Sequence, residues 1–193
     1  MKTIICENFG PLDTLVYKEV DIPEIKNSDD IIIKVFSSGV NFPDGLLVQG
    51  KYQLKPPVPF TPGMEVSGEV FKIGSGVTEF KIGDRVAGLS QLGGYSEYNL
   101  LNKTSVYKIP LEMGHDQACA LLCAYGTSHY ALKQRANLKK GDTLVVLGAS
   151  GSTGIAAIQI GKIMGAKVIA ASSSIEKQNY TKCLGADITI GYE

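Results

Sequence analysis

Over the first hundred residues the hydrophobic positions fall in short runs, not in helix-spaced stripes. Strands are predicted at 2–6, 15–20, 30–36, 65–73, 84–89 and 94–100, segments rich in Val, Ile and Tyr. Gly, Pro, Asn and Asp punctuate them as turn formers. Residues 42–62 break the rhythm: Pro43, Pro56, Pro57, Pro59 and Pro62 fall in a stretch without strand alternation. That stretch reads as one long loop, of the length functional loops often have. The first half is therefore expected to be a β-rich, partly open barrel-like domain.

The pattern changes near Pro110. Residues 114–124 and 126–136 read as two helices with Ala, Leu and Cys facing inward. A buried-type strand follows at 143–147, then a helix from Thr153 to Met164. A strand at 167–171, a helix at 175–184 and a strand at 187–191 complete the series. Strand, helix, strand, helix, strand in so short a compass means a parallel sheet joined by right-handed crossovers. There are no internal repeats and no low-complexity tracts.

Composition narrows the classes. The 193 residues are 44% hydrophobic and 20% charged, with 19 cationic and 19 acidic side chains and a net charge of zero. Such a balance argues against an electrostatic grip on nucleic acid or on a membrane surface. No apolar run approaches membrane length, and the opening Met1-Lys2-Thr3-Ile4-Ile5-Cys6-Glu7 has no signal-peptide character. Cys6, Cys119, Cys123 and Cys183 are scattered, as expected of a protein kept in a reducing compartment. The expected location is cytoplasmic.

The chemistry concentrates in the glycine turn between the strand at 143–147 and the helix after it. Gly148, Ala149, Ser150, Gly151, Ser152, Thr153 and Gly154 are small enough to let the backbone turn sharply and approach a pyrophosphate. The helix start then offers free N–H groups and the positive end of its dipole. A plain tight turn that binds nothing uses the same residues. A phosphate-binding loop ending in Gly-Lys-Ser/Thr is excluded, and so is the Tyr-x-x-x-Lys pair of short-chain dehydrogenases.

The next strand bears on which dinucleotide fits. NAD sites place a carboxylate at its end to accept from the ribose 2′-OH. Here it ends Ala171-Ser172-Ser173-Ser174, and the first acid, Glu176, lies in the helix beside Lys177. Hydroxyls with a cation suit the 2′-phosphate of NADPH, which a carboxylate would repel. The same serines could cap the helix, and both roles are compatible.

Metal chemistry finds little support. Cys119 and Cys123 stand at i, i+4 on an apolar helix, with no His or acid placed to complete a ligand set, so core packing is the expectation. His115 and His129 read as capping or packing residues. No metal site is expected. Without a metal, a substrate carbonyl must be polarised by hydroxyl or amide donors or need little help, and quinones and conjugated enones fit the second case.

Taken in order, the motifs resemble a known family. They comprise Ser38-Gly39-Val40-Asn41-Phe42-Pro43-Asp44, the run from Lys55 to Gly68 that contains Gly63-Met64-Glu65, and Gly83-Asp84-Arg85-Val86. Ala124-Tyr125-Gly126-Thr127, the Gly148–Gly154 turn, Leu184-Gly185-Ala186-Asp187 and Gly191-Tyr192 follow. Together they span essentially the whole chain and resemble medium-chain dehydrogenase/reductases of the zinc-independent quinone oxidoreductase (zeta-crystallin-like) branch.

The resemblance implies a GroES-like catalytic domain over 1–124 and a partial Rossmann NADPH-binding domain over 125–193. It implies an NADPH-dependent quinone or conjugated enone reductase that transfers hydride without zinc. Zinc alcohol dehydrogenases of the superfamily carry Cys where this chain has Val40 or Asn41, and Gly-His-Glu where it has Gly63-Met64-Glu65. Residues matching Asn41 and Thr127 bind nicotinamide, and Tyr52 lines the same pocket; these three are the catalytic candidates. Matches to Ser173, Lys177 and Tyr192 hold the 2′-phosphate, with Ser172 beside them. A pocket tyrosine of some members is Leu46 here, and an Arg often found after the Tyr192 position is Glu193. Family chains continue beyond this point, so a truncated protein is expected, without the strand usually used for a homodimer. The alternative is a non-catalytic nucleotide-binding or interaction module.

Overall fold

Ile31, Ile32 and Ile33 are wholly buried at the head of β3 (Asp30–Ser38), the strand around which the first half of the chain is built. β3 lies between β4 (Glu65–Ile73) and β6 (Tyr98–Asn102), antiparallel to both. β5 (Arg85–Leu89) and β7 (Val106–Lys108) extend the sheet to the order β6-β3-β4-β5-β7. β1 (Lys2–Ile5) and β2 (Val16–Glu19) form a separate antiparallel pair. Ile31, Ile33, Val66, Val70, Val86 and Leu101 pack together as the core of this sheet. Alternation along each strand supplies that apolar face.

The computed structural model describes residues 1–192. The chain divides into two compact units, Met1–Leu122 and Cys123–Glu193. In the second unit β8 (Thr143–Val146), β9 (Lys167–Ser172) and β10 (Ile188–Gly191) form a parallel sheet in the order β10-β9-β8. α4 (Ser152–Ile163) and α5 (Ile175–Cys183) make the crossovers. Ile158, Val168, Ala170 and Ala186 are sealed from solvent between them. The expected β-rich unit followed by a parallel βαβαβ unit is the architecture observed.

Three local expectations are corrected. Residues 42–62 are not one loop, because α1 (Phe42–Val48) opens the segment. Its start is set by the Asn41 N–H donating to Asp44 Oδ2 at 2.8 Å, and Pro43 is tolerated in the first turn, where no intrahelical N–H bond is lost. The strand expected at 94–100 begins only at Tyr98. Gly94 N–H donates to Gly63 O and Tyr95 N–H to Pro62 O, which ties those residues to the neighbouring turn. The two helices expected at 114–124 and 126–136 do not break at Tyr125. α2 (His115–Ala120) runs into a widened π turn at Leu121–Tyr125, then α3 (Gly126–His129) and a second π turn at Tyr130–Arg135. Tyr125 keeps right-handed helical angles, since no proline or left-handed residue stops the chain there.

Candidate functional site

Asn41 sits just before α1, where the chain leaves β3. Its side-chain Nδ2 donates to Glu65 Oε1 at 2.8 Å, and Glu65 is only 3% exposed. Asp44, one turn into α1, is equally buried and accepts from the Tyr95 hydroxyl at 3.0 Å. Burial pushes the Asp44 carboxyl above its usual range, against the opposing pull of the Asn41 N–H, the Tyr95 hydroxyl and the Gly63 N–H. Burial, with the Asp44 charge beside it, pushes the Tyr95 phenol up as well.

Beside this constellation lies a cleft of about 430 Å³, walled by Leu12, Leu15, Val40, Phe42 and Leu46 and carrying Asn41, Asp44 and Tyr95 as polar groups. Val40 and Phe42, on either side of Asn41, are 85% and 81% exposed. Tyr52 is not on the cleft wall. It packs half-buried against the cluster of Cys6, Leu47, Val48 and Phe60.

In the second unit the glycine turn joins β8 to α4. Gly151 N–H donates to Gly148 O, and Ala149 N–H bonds Ala171 O of the adjoining strand. Gly154 has no room for a side chain: an added Cβ would lie 2.7 Å from Gly148 O and 2.8 Å from the Ala149 Cα. Among the described residues no side chain caps α4 at Gly151, which leaves its first-turn amides without a capping acceptor and with the helix dipole behind them. Gly148, Ser150, Gly151, Ser152, Thr153 and Gly154 therefore form a backbone cradle suited to a diphosphate. Ser128 on α3 donates to Thr153 O at 2.8 Å and pins one side of the cradle. A serine inside a helix carries no sequence signal of such a role. Thr127, beside it, is solvent-exposed.

At the C-terminal end of β9 the serines take different positions. Ser172 is 1% exposed, and its Oγ has no hydrogen-bond partner among the described residues. Ser173 is exposed, and its Oγ accepts from Lys177 Nζ at 3.1 Å. Ser174 caps α5 by accepting from the Lys177 N–H at 3.3 Å. The cap and the hydroxyl–cation pair thus coexist on neighbouring residues. Gly191 pairs with Ser172, so Tyr192 emerges at the same sheet end as Ser173. Glu193 lies outside the described residues. A buried hydroxyl, a cradle of backbone amides among small residues and an exposed hydroxyl–ammonium pair at one sheet end fit an adenine dinucleotide carrying an extra phosphate.

Among the described residues no three His, Cys, Asp or Glu side chains cluster as a metal would need. Cys119 is buried, donates to Glu65 O at 3.5 Å, and has its thiol pushed up to about 12, first by burial and then by the Glu65 charge. The Ser67 hydroxyl lies 2.9 Å from both His115 Nδ1 and Val86 O, and the His115 ring meets the Phe36 edge at 5.0 Å. His115 is thus a packing residue.

The family model described as the alcohol dehydrogenase GroES-like domain matches residues 27–191. The quinone oxidoreductase-like protein 2 homolog of Nematostella vectensis is 40% identical over 193 residues, 99% of this chain and 52% of that protein. The quinone oxidoreductase of Sus scrofa is 39% identical over 178 residues, 92% of this chain and 54% of that one. The crystal structure of Escherichia coli quinone oxidoreductase complexed with NADPH superposes with a TM-score of 0.93 at 29% identity, over 98% of this chain and 58% of that one. The chain thus spans about half the length of the curated relatives it matches. With the GroES-like sheet followed by a parallel βαβαβ unit, these matches mean that the chain belongs to the alcohol dehydrogenase GroES-like domain family, in the quinone oxidoreductase branch of the medium-chain dehydrogenase/reductases.

Proposed function

We propose that this chain belongs to a cytoplasmic NADPH-dependent oxidoreductase of quinones or conjugated enones that works without zinc. Residues 1–124 form its GroES-like catalytic domain and 125–193 the Rossmann part of its NADPH site. One observation carries the choice of cofactor. The end of β9 presents a Ser173–Lys177 hydroxyl–ammonium pair, where an NAD-type site would hold a carboxylate. Relatives solved with NADPH support the same choice.

The bound nicotinamide supplies a hydride. Every other contribution comes from the protein. Gly148, Ala149, Ser150, Gly151, Ser152, Thr153 and Gly154 hold the pyrophosphate by backbone amides. Ser173, Lys177 and Tyr192 hold the 2′-phosphate, with Ser172 beside them. Asn41 and Thr127 orient the nicotinamide, and Tyr52 braces the α1 wall of the substrate pocket from behind. The apolar cleft beside Asn41 admits a flat, conjugated carbonyl compound. Conjugation spreads the charge that arrives with hydride, so the carbonyl needs no metal to polarise it.

Titration of the chain with NADPH and NADH, followed by NADPH oxidation with a panel of quinones and enones, tests the proposal. NADPH-selective binding with turnover that an Asn41→Ala, Thr127→Ala double variant lacks is the expected result. Binding without turnover would leave a nucleotide-binding module. Binding of neither nucleotide would refute the reading.

A further inference from the structure

Asn41 meets a buried acid, not solvent. Glu65 opens β4, is 3% exposed as a residue, and its Oε1 accepts from Asn41 Nδ2 at 2.8 Å. The acid is held by its own backbone: Ser38 Oγ, Gly39 N–H and Cys119 Sγ all donate to Glu65 O. Gly39 leaves the space the side chain fills, since a Cβ there would lie 2.1 Å from Glu65 Oε1 and 2.6 Å from its Cγ. The position two residues before Asn41 is thus kept free of a side chain so that the carboxylate reaches the Asn41 amide.

The chemistry of the pair has one consequence for Asn41. The Glu65 Oε1 accepts from Asn41 Nδ2, so the amide nitrogen is the end that faces the acid. That removes the two-fold ambiguity an asparagine side chain otherwise has. Beyond that bond the Asn41 amide has a second N–H and a carbonyl oxygen with which to meet a ligand. We propose that Glu65 is the positioning residue that sets the Asn41 amide in a single orientation, so that it offers one donor and one acceptor to the carboxamide of nicotinamide. A primary carboxamide is the complement of that pair, with one acceptor and two donors of its own. The inference rests on the NADPH reading above and names how its reactive end is recognised.

Calorimetric titration of the chain and of its Glu65→Ala and Glu65→Gln variants tests this, with two ligands: NADPH, and 2′-phospho-ADP-ribose, which lacks the nicotinamide. The expected result is a roughly tenfold loss of NADPH affinity in Glu65→Ala, the weight of one hydrogen bond. Affinity for 2′-phospho-ADP-ribose is expected to be unchanged. Glu65→Gln fills the same volume but turns either end of its amide to Asn41, so about a two- to fivefold loss is expected. Equal loss for both ligands, or unchanged NADPH affinity in a folded Glu65→Ala, would overturn the proposal. Equal wild-type affinity for both ligands would overturn it too, with the phosphate site intact. A wild type that binds neither would instead refute the cofactor reading. As a check independent of cofactor, the Asn41 side-chain amide should give one proton resonance shifted downfield by the Glu65 contact in the free protein. Its absence from the wild-type spectrum, or its persistence in Glu65→Gln with unchanged shift, counts against the orienting role.

Discussion

The Tyr95 hydroxyl donates to Asp44 Oδ2 at 3.0 Å, so a phenol from the turn before β6 meets a carboxyl from the first turn of α1. The same oxygen accepts the Asn41 N–H at 2.8 Å, while Asp44 Oδ1 is buried without a hydrogen-bond partner among the described residues. The carboxyl is therefore a helix-start device kept in an apolar setting, where its charged form is disfavoured.

A pH dependence with a definite sign comes from that setting. Burial holds the Asp44 pKa above its ordinary value. The native state then binds the proton more tightly than the unfolded chain does. The resulting stability is full below the unfolded value of about 3.9 and is lost as pH rises through the folded value. Asp44→Asn cannot titrate. Melting temperatures measured from about pH 4 to pH 7 should shift in favour of Asp44→Asn, relative to wild type, as pH rises. A difference that stays constant across that range would mean the carboxyl is not perturbed.

Asp187 has the opposite sign. Lys162 Nζ lies 2.7 and 2.8 Å from its two oxygens, and the Val168 N–H donates to Oδ2 at 2.7 Å. The Lys162 hydrogen bond first, then the Val168 N–H, hold this carboxyl below its ordinary range. Its contribution is present above the unfolded pKa and is lost as pH falls through the folded one. Asp187→Asn should lower the melting temperature at neutral pH, with the deficit shrinking in acid. A deficit unchanged down to about pH 3 would remove the ion pair from the account.

Much of the fold could be read from the sequence because its signals were local. Runs such as Ile31–Ile33 and Val168–Ala171 have the composition of buried strands, and the small residues of Gly148–Gly154 mark a turn running into a helix. α1 was missed because the prolines around it dominate the composition, while its start depends on the Asn41–Asp44 contact, which four residues do not advertise. The delayed start of β6 was missed for a different reason: the pull on Tyr95 comes from Pro62, far away in sequence. At the site, Asn41 could be singled out by motif, but Glu65 could not be given its role. An acid in a strand of mostly apolar residues looks exposed until Gly39 is seen to make room for it. Ser128 has no sequence signature at all, since only the fold sets it against Thr153.

The glycine turn should discriminate sharply between two of its members. At Gly154 a Cβ would press on backbone at 2.7 and 2.8 Å, whereas at Gly151 the nearest atom is Gly148 O at 3.4 Å. Backbone cannot swing aside as a side chain can. Gly154→Ala should cost about 1–3 kcal/mol, the usual range for overpacking, and should abolish dinucleotide binding. Gly151→Ala should remain close to wild type in a thermal melt. Equal tolerance at the two positions would show that the α4 start is looser than its contacts imply.

Cofactor preference should turn on Lys177. Its ammonium already bonds Ser173 Oγ at 3.1 Å, so the pair meets a 2′-phosphate preassembled, with one positive charge and one hydroxyl. Lys177→Glu replaces that cation by a carboxylate at the end of β9, which repels a phosphate and accepts from a ribose 2′-OH instead. The ratio of NADPH to NADH affinity should fall by at least about tenfold, a change of one charge-assisted hydrogen bond. Ser173→Ala, which leaves the charge in place, should reduce the ratio by only about two- to fivefold. Raising salt should erode the wild-type preference and leave that of Lys177→Glu nearly flat, because screening acts on the phosphate–ammonium attraction and not on the ribose contact. An affinity ratio that survives the charge reversal would mean that the 2′-phosphate is held elsewhere, and the choice of NADPH would then lose the observation that carries it.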